Sequence, residues 1–133
     1  MDKATASLLK GSLEKSQEKL RVAEHLLQAE EYEDAVSRAY YSAFHAAQAA
    51  LLTEGLTATT HQGLVNLFGL HLVKTGKLPK QLGKCLANLK DDRESSDYEV
   101  YSGIDRETAE HAVKEARTLL AAIETYVQPW LQG

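Results

Sequence analysis

The segment Glu31–Leu52, EYEDAVSRAYYSAFHAAQAALL, decides the fold because it has the pattern of a helix with two different faces. Apolar residues recur on one face at steps of three and four; they are Val36, Tyr40, Ala43, Phe44, Ala47 and Leu51. A neighbouring face, which we call the polar stripe, repeats at the same steps; it consists of Asp34, Arg38, Tyr41, His45 and Gln48. Numerous alanines also permit close approach of other helices from several sides. We therefore predict a central helix that its neighbours nearly surround.

The whole-chain composition sets limits on the class of protein. The chain has 133 residues, which fit one domain, and we predict a single domain over 1–133. One cysteine, Cys85, excludes an intrachain disulfide and fits a reducing cytoplasm. No uninterrupted apolar run is long enough for a membrane span, and the first residues do not resemble a secretion signal. The net charge of −4 argues against broad affinity for nucleic acid but leaves local basic patches open.

Helical periodicity continues on both sides of the central segment. It predicts further helices over about 5–29 and 60–75. A fourth predicted helix has Pro79 as an early residue and continues through 98. Asp105 is predicted to cap the last helix, and Pro129 is predicted to end it. Thr59 followed by Gln62 has the spacing of a capping box. No segment alternates with a period of two, and no second copy of the central pattern indicates a helical repeat. We predict an all-α fold, an antiparallel up-and-down bundle of four to five helices.

Several kinds of active site are excluded by residue spacing. Five scattered histidines and one cysteine do not give zinc-ligand spacing, and glycine-rich phosphate or dinucleotide motifs are absent. Cys85 falls among inward-facing leucines, so we interpret it as an inert core residue. We therefore expect no metal and no cofactor.

Arg38 and His45 are the residues in the polar stripe best suited to chemistry. They lie seven residues apart and therefore stack two helical turns apart on nearly one line. Arginine is suited to phosphate oxygens, and histidine can transfer a proton at neutral pH. Together they could cleave RNA without a metal, and two-fold dimerisation through this helix would bring two pairs together. From the spacing alone, the favoured interpretation is an exposed or interface pair without a catalytic role.

A second candidate contact region is basic. Lys77, Lys80 and Lys84 follow each other at steps of three and four and predict a basic strip for RNA or a nucleotide, although such strips are also common on purely solvated faces.

Arg93 and Asp97, one turn apart, predict an ion pair within a helix. Tyr98 and Tyr101 are predicted to cover the end of the bundle.

The segment Arg38–Leu52, RAYYSAFHAAQAALL, resembles the HEPN domain family, and more closely its small stand-alone branch with a YYxAFHAA helix. The similarity extends over about 7–127 of the chain. Other matching features are His61-Gln-Gly-Leu64 followed by Phe68, Lys74-Thr-Gly-Lys-Leu78, Arg93 with Asp97-Tyr98, and the alanine-rich last helix.

This resemblance implies a helical bundle that is commonly a homodimer. Many members of the family are metal-independent endoribonucleases, often the toxin of a pair whose antitoxin is a minimal nucleotidyltransferase. Their motif is an arginine, four to six residues and a histidine, which Arg38 and His45 match. From the polar stripe itself, Asp34 and Tyr41 are predicted as weaker binding residues beside this pair. Catalytic members often have a polar residue after the arginine, where this chain has Ala39. Other members only bind nucleotides or partner proteins, so both functions stay open.

Overall fold

A computed structural model of the chain describes residues 1–132, and these form five α-helices and one short π-helix without a strand. The elements are α1 Lys3–Gln28, α2 Tyr32–Leu52, α3 His61–Phe68, the π-helix Gly69–Val73, α4 Lys80–Tyr98 and α5 Arg106–Leu131. The predicted all-α antiparallel bundle is therefore confirmed. Within the described part of the chain, no helix is both long enough and apolar enough to cross a membrane.

Helix α2 is the centre of the bundle and packs against α1, α3, α4 and α5. Twelve of its 21 residues are buried, and seven of the twelve are alanines, so neighbouring backbones approach closely on several sides. Where α1 crosses it, the buried Ser16 and Ser42 donate hydrogen bonds to each other's carbonyl oxygens at 2.6 and 2.9 Å. These paired hydroxyls are satisfied without water and join two helices of the core.

Two helix ends show the predicted kind of capping, although one cap lies one residue later than predicted. Asp105 caps α5 as predicted, because its carboxylate accepts a hydrogen bond from the Thr108 N–H at 2.9 Å. At the start of α3 the cap is Thr60 rather than the predicted Thr59, and the Thr60 hydroxyl accepts from the Gly63 N–H. A Cβ at Gly63 would lie 2.7 Å from that hydroxyl oxygen, so the close cap requires the glycine.

Three predicted boundaries were wrong in detail. The helix predicted over 60–75 is α-helical only to Phe68 and continues as the π-helix. Pro79 is the residue that caps α4, just before its first turn. Pro129 lies inside α5, which continues to Leu131, because a proline near a helix end removes few hydrogen bonds and Trp130 packs on Tyr126 with ring centroids 5.4 Å apart.

The connection between α4 and α5 also differs from expectation. Tyr98 and Tyr101 are 73% and 94% exposed, so the prediction that they cover the bundle end was wrong. The backbone becomes extended at Glu99, which ends α4. Beyond it, Ile104 packs against the core and the Ser102 hydroxyl donates a hydrogen bond to the Glu33 carboxylate at 3.0 Å, so these residues connect the segment to the bundle.

Candidate functional site

The polar stripe of α2 lies on the side of the helix that the other helices leave uncovered. Asp34 and Arg38 are exposed, and Tyr41, His45 and Gln48 are partly buried. Residues of α1 contact one edge of this side, and residues of α3 and α4 contact the other. The stripe is therefore accessible along its length, which a binding or catalytic surface requires.

Arg38 has no ion pair or side-chain hydrogen bond with any residue that the structure describes, and the same holds for Asp34. The guanidinium of Arg38 is exposed, so all of its N–H donors can reach a ligand. The fold uses this arginine for no contact of its own. A free, permanently charged donor group at the surface is suited to a phosphate oxygen.

His45 lies half-buried against α1. Its ring meets Phe44 edge to face with centroids 5.2 Å apart, and it lines a shallow pocket of about 320 Å³ with Ser12 and Lys15. Burial lowers the pKa of His45, and the nearby positive charges of Lys15 and Lys19 lower this pKa further. The imidazole is therefore neutral near pH 7 and can accept a proton.

Arg38 and His45 share one face but do not touch within one chain. Seven residues of helix separate their backbones by about 10 Å, because an α-helix rises about 1.5 Å per residue. A phosphate group lying between the two side chains would bridge much of this distance. A single chain therefore presents an exposed cation and a neutral imidazole on one face of α2, without assembling them into a contact pair.

Tyr41, predicted as a weaker binding residue, packs against residues of two other helices. Its ring lies 5.3 Å from the Arg93 guanidinium carbon and 6.0 Å from the ring of His61. These partners come from α4 and α3. Its role beside Arg38 and His45 stays a prediction.

The residues around Tyr41 form a second arrangement that the sequence did not reveal, which we call the tyrosine–arginine cluster; it consists of Tyr40, Tyr41, His61, Arg93 and Tyr98. Arg93 lies 5.8, 5.3 and 5.7 Å from the centroids of the three tyrosine rings, within reach of cation–π attraction. The hydroxyl of the fully buried Tyr40 forms a 2.6 Å hydrogen bond with His61 Nδ1. The cluster is thus built mainly by packing.

The ionisation of this cluster follows from its burial. Burial raises the pKa of Tyr40 above its ordinary value, so the phenol stays protonated. Burial also lowers the pKa of His61, and the charges of Arg93 and Lys90 lower it further. Arg93 Nε lies 2.8 Å from Asp97 Oδ2, which confirms the predicted ion pair. No local sequence pattern joins the members of the cluster, because His61 and Arg93 lie 21 and 53 positions after Tyr40.

The predicted basic strip is only partly a free surface. Lys77 lies in the connection before α4 and forms an ion pair with Glu54, and this hydrogen bond raises the lysine pKa. Lys80 and Lys84 are exposed on α4, one turn apart. Two of the three predicted lysines therefore present uncompensated charge, and the third is neutralised by its partner.

The described residues give little support for an active site based on a cysteine or a metal ion. Burial and the neighbouring Glu115 carboxylate raise the pKa of Cys85 to about 11, so its thiol stays protonated at neutral pH. Across residues 1–132, no group of three or more His, Cys, Asp and Glu side chains is arranged to hold a metal ion. The polar stripe, by contrast, presents an exposed arginine and a histidine with a lowered pKa on one face of α2.

The fold and this surface define a small helical-bundle protein with an exposed arginine and a half-buried histidine along its central helix. The model of the HEPN domain family matches residues 9–126, and the chain belongs to that family. It is 30% identical over 115 residues to a Methanocaldococcus jannaschii protein named "Putative toxin MJ0142", covering 86% of this chain and 78% of the relative. It is 33% identical over 114 residues to a UPF0332 protein of Thermotoga maritima, covering 86% of each chain.

A solved structure supports the same fold. The crystal structure of TT1696 from Thermus thermophilus superposes with a TM-score of 0.77 at 23% sequence identity. The match covers 89% of this chain and 97% of that chain. At this identity the likeness concerns the arrangement of the helices.

Proposed function

We propose that this HEPN protein is a toxin-like, metal-independent endoribonuclease that acts as a homodimer, with a composite site made of Arg38 and His45 from both protomers. The observation that carries the proposal is the state of Arg38. Its guanidinium is exposed and has no acidic partner among the described residues, on the same face as a histidine that burial keeps neutral. An unpaired cation beside a neutral imidazole is what phosphate-ester cleavage without a metal requires.

The proposed chemistry divides between the two side chains. The neutral imidazole of His45 takes the proton from a ribose 2′-hydroxyl, whose oxygen attacks the adjacent phosphate. Arg38 donates hydrogen bonds to the phosphate oxygens as negative charge grows on them. The leaving 5′-oxygen needs a proton, and the imidazolium that forms when His45 accepts the 2′-proton can return it, so the step balances. Two-fold dimerisation through this helix would bring a second Arg38 close to the same phosphate, which is why the site is proposed as composite.

The biological setting is part of the same proposal. The name of the Methanocaldococcus jannaschii relative supports a toxin-like role. We propose a minimal nucleotidyltransferase as the antitoxin partner and the cytoplasm as the place of action, since RNA is the substrate. Asp34, Lys80 and Lys84 are exposed and remain candidates for contacts with bound RNA.

The test is RNA cleavage by the purified protein in EDTA. Wild-type protein is expected to shorten single-stranded RNA, and His45→Ala is expected to abolish the cleavage because no group remains to move the proton. His25→Ala, which removes an exposed histidine near the end of α1, serves as the matched control and should cleave normally. Equal cleavage by His45→Ala and wild type would contradict the assignment. Sedimentation equilibrium should give twice the mass of one chain.

A second candidate function is a noncatalytic HEPN module that binds a nucleotide or a nucleotidyltransferase partner. The observation that favours it is Ala39, which is fully buried, so the position after Arg38 supplies no polar group to the surface. This candidate predicts no loss of RNA at any protein concentration. It also predicts a complex, detectable by calorimetry with ATP or by copurification with the nucleotidyltransferase. Cleavage in EDTA that depends on His45 would exclude it.

A further inference from the structure

An open pocket of about 640 Å³ lies between the start of α3 and the second half of α4, beside the tyrosine–arginine cluster. Its volume is within the usual range for small-molecule sites. Three members of the cluster line it, together with further residues of α4 and its end; the full lining is His61, Asp91, Arg93, Glu94, Ser95, Tyr98 and Glu99. No described residue of the polar stripe lines this pocket, so it is a second surface.

Tyr98 is the member of the cluster that packing does not explain. Its side chain is 73% exposed, whereas Tyr40 is fully buried and Tyr41 is partly buried. The Arg93 guanidinium carbon lies 5.7 Å from the centre of the Tyr98 ring, a cation–π contact that holds one side of the ring against the protein. The exposed part of the ring is left for a flat ligand. Exposed aromatic rings beside a cation are the surfaces on which unpaired bases of single-stranded nucleic acids stack.

Tyr41 connects this pocket to the polar stripe. It follows Arg38 by three positions and precedes His45 by four, so the geometry of α2 places it on the side of the helix that carries both residues. The guanidinium of Arg93 lies 5.3 Å from the Tyr41 ring centre, and the same group contacts Tyr98. Both rings therefore pack around one side chain. A pocket this close to the polar stripe is within reach of a base whose neighbouring phosphate lies at Arg38.

The unpaired charge in the pocket is negative. Arg93 is paired with Asp97, and the Glu94 carboxylate is paired with a lysine of α4. Asp91 and Glu99 are exposed and have no ion pair or side-chain hydrogen bond with any described residue. Ionised carboxylates only accept hydrogen bonds. Such a lining repels a phosphate group and favours a flat ligand that presents N–H donors at its edge.

We propose that this pocket binds an unpaired base of the RNA substrate, stacked on the Tyr98 ring, with its N–H groups donated to the carboxylates of Asp91 and Glu99. The inference rests on the proposed function, since it takes RNA as the ligand of the polar stripe. Guanine fits the lining best, because its Watson–Crick edge carries two adjacent N–H donors. The same edge of uracil has a single donor between two carbonyl oxygens, which a carboxylate repels. The protein is therefore expected to prefer single-stranded RNA with an unpaired guanosine.

Fluorescence anisotropy with the His45→Ala protein tests this site, because the proposed mechanism leaves that protein unable to cleave its probe. The probes are a short labelled oligouridine and the same RNA with one central guanosine. The guanosine RNA should bind about tenfold more tightly, and the added changes Asp91→Asn and Glu99→Gln should remove this preference. Adding Tyr98→Ala should weaken binding of the guanosine RNA about tenfold, whereas Tyr98→Phe keeps the ring and should retain it. The matched control is Tyr101→Ala, whose ring is 94% exposed but does not line the pocket.

Equal binding of the two RNAs would overturn the proposal, and so would an affinity that Tyr98→Ala leaves unchanged. Binding of free GMP that depends on Tyr98, without binding of the RNA, would also overturn it, because the pocket would then take a free nucleotide. Cleavage is assayed separately with the wild-type protein. A Tyr98-dependent preference for guanosine in a protein that does not cleave RNA would support the base site and exclude the ribonuclease function. Cleavage that depends on His45 but on neither Tyr98 nor guanosine would have the reverse meaning.

Discussion

The molecule has two arginine–histidine regions beside its central helix, and they differ in how much the fold depends on them. Arg93 and His61 belong to the tyrosine–arginine cluster, where each contacts the buried Tyr40 and the partly buried Tyr41. Arg38 is exposed without a partner in residues 1–132, and His45 contacts mainly Phe44 and the side of α1. Packing explains the presence of the first pair. It does not explain Arg38, and that difference is why we place function on the second pair.

The largest expected effect on the free energy of unfolding concerns Tyr40, the buried centre of the tyrosine–arginine cluster. Tyr40→Ala should lower the free energy of unfolding by about 3–5 kcal/mol, because it leaves a cavity and removes the partner of His61. Urea unfolding followed by circular dichroism measures the change. Tyr101→Ala is the matched control, because that ring is 94% exposed, and its unfolding curve should overlay the wild-type curve. A loss below about 1 kcal/mol in Tyr40→Ala would show that the cluster is not structural.

The two arginines provide the next comparison. Arg93→Ala should lower the free energy of unfolding by about 1–3 kcal/mol, since the side chain is only 12% exposed and lies over three tyrosine rings. Arg38→Ala should change it by less than about 0.5 kcal/mol, as for other exposed substitutions without contacts. Both values come from the same urea measurement. Equal losses in the two variants would remove the distinction between the regions.

The fold could be predicted further than the site. Helical spacing of apolar residues indicated every α-helix, and side-chain chemistry indicated Asp105 as a cap. The end of α1 carried no such signal, because Glu30 adopts a left-handed backbone with φ of 65°, a conformation usually given to glycine. The tyrosine–arginine cluster was missed for a related reason. Its members come from three helices, and contacts between distant segments leave no local pattern.

Within the site, the sequence predicted which residues share a face but not what each one contacts. The spacing of Arg38 and His45 correctly placed them on one side of α2. It could not show that His61 and Arg93 pack against Tyr41, nor that Glu54 pairs with Lys77 across 23 residues. Ala39 was noted as a departure from the motif, and its burial shows that this position faces the core.

The pH dependence of stability compares the two histidines directly. The pKa values of His45 and His61 are both lowered, so below about pH 6.5 the unfolded chain binds more protons than the native protein. The two neutral histidines therefore contribute fully to the free energy of unfolding above this pH. Their contribution should decrease as the pH falls towards the folded-state pKa values. His45→Gln and His61→Gln should each flatten the decrease when urea unfolding is repeated between about pH 7.5 and 5. An unchanged slope in both variants would contradict the assigned protonation states.

The smallest expected effect concerns the lysines before and within α4. If RNA binds, the double variant Lys80→Ala/Lys84→Ala should reduce the slope of log affinity against log salt by roughly 1.4, the value for two contacts to a single strand. Lys77→Ala should reduce it less, because Glu54 already neutralises that lysine. Fluorescence anisotropy with labelled RNA at several salt concentrations gives the slopes. A reduction of roughly 0.7 by Lys77→Ala, half that of the double variant, would show that the ion pair opens on binding.

The most direct test of the central claim is the rate of metal-free RNA cleavage by Arg38→Ala and by Arg93→Ala, each expressed per folded molecule. The proposal predicts that Arg38→Ala loses activity by about a hundredfold or more, as expected when a group stabilising the transition-state charge is removed. Arg93→Ala should keep a rate close to that of wild type once its lower stability is taken into account. Normal cleavage by Arg38→Ala with complete loss in Arg93→Ala would contradict the claim and move the site to the tyrosine–arginine cluster.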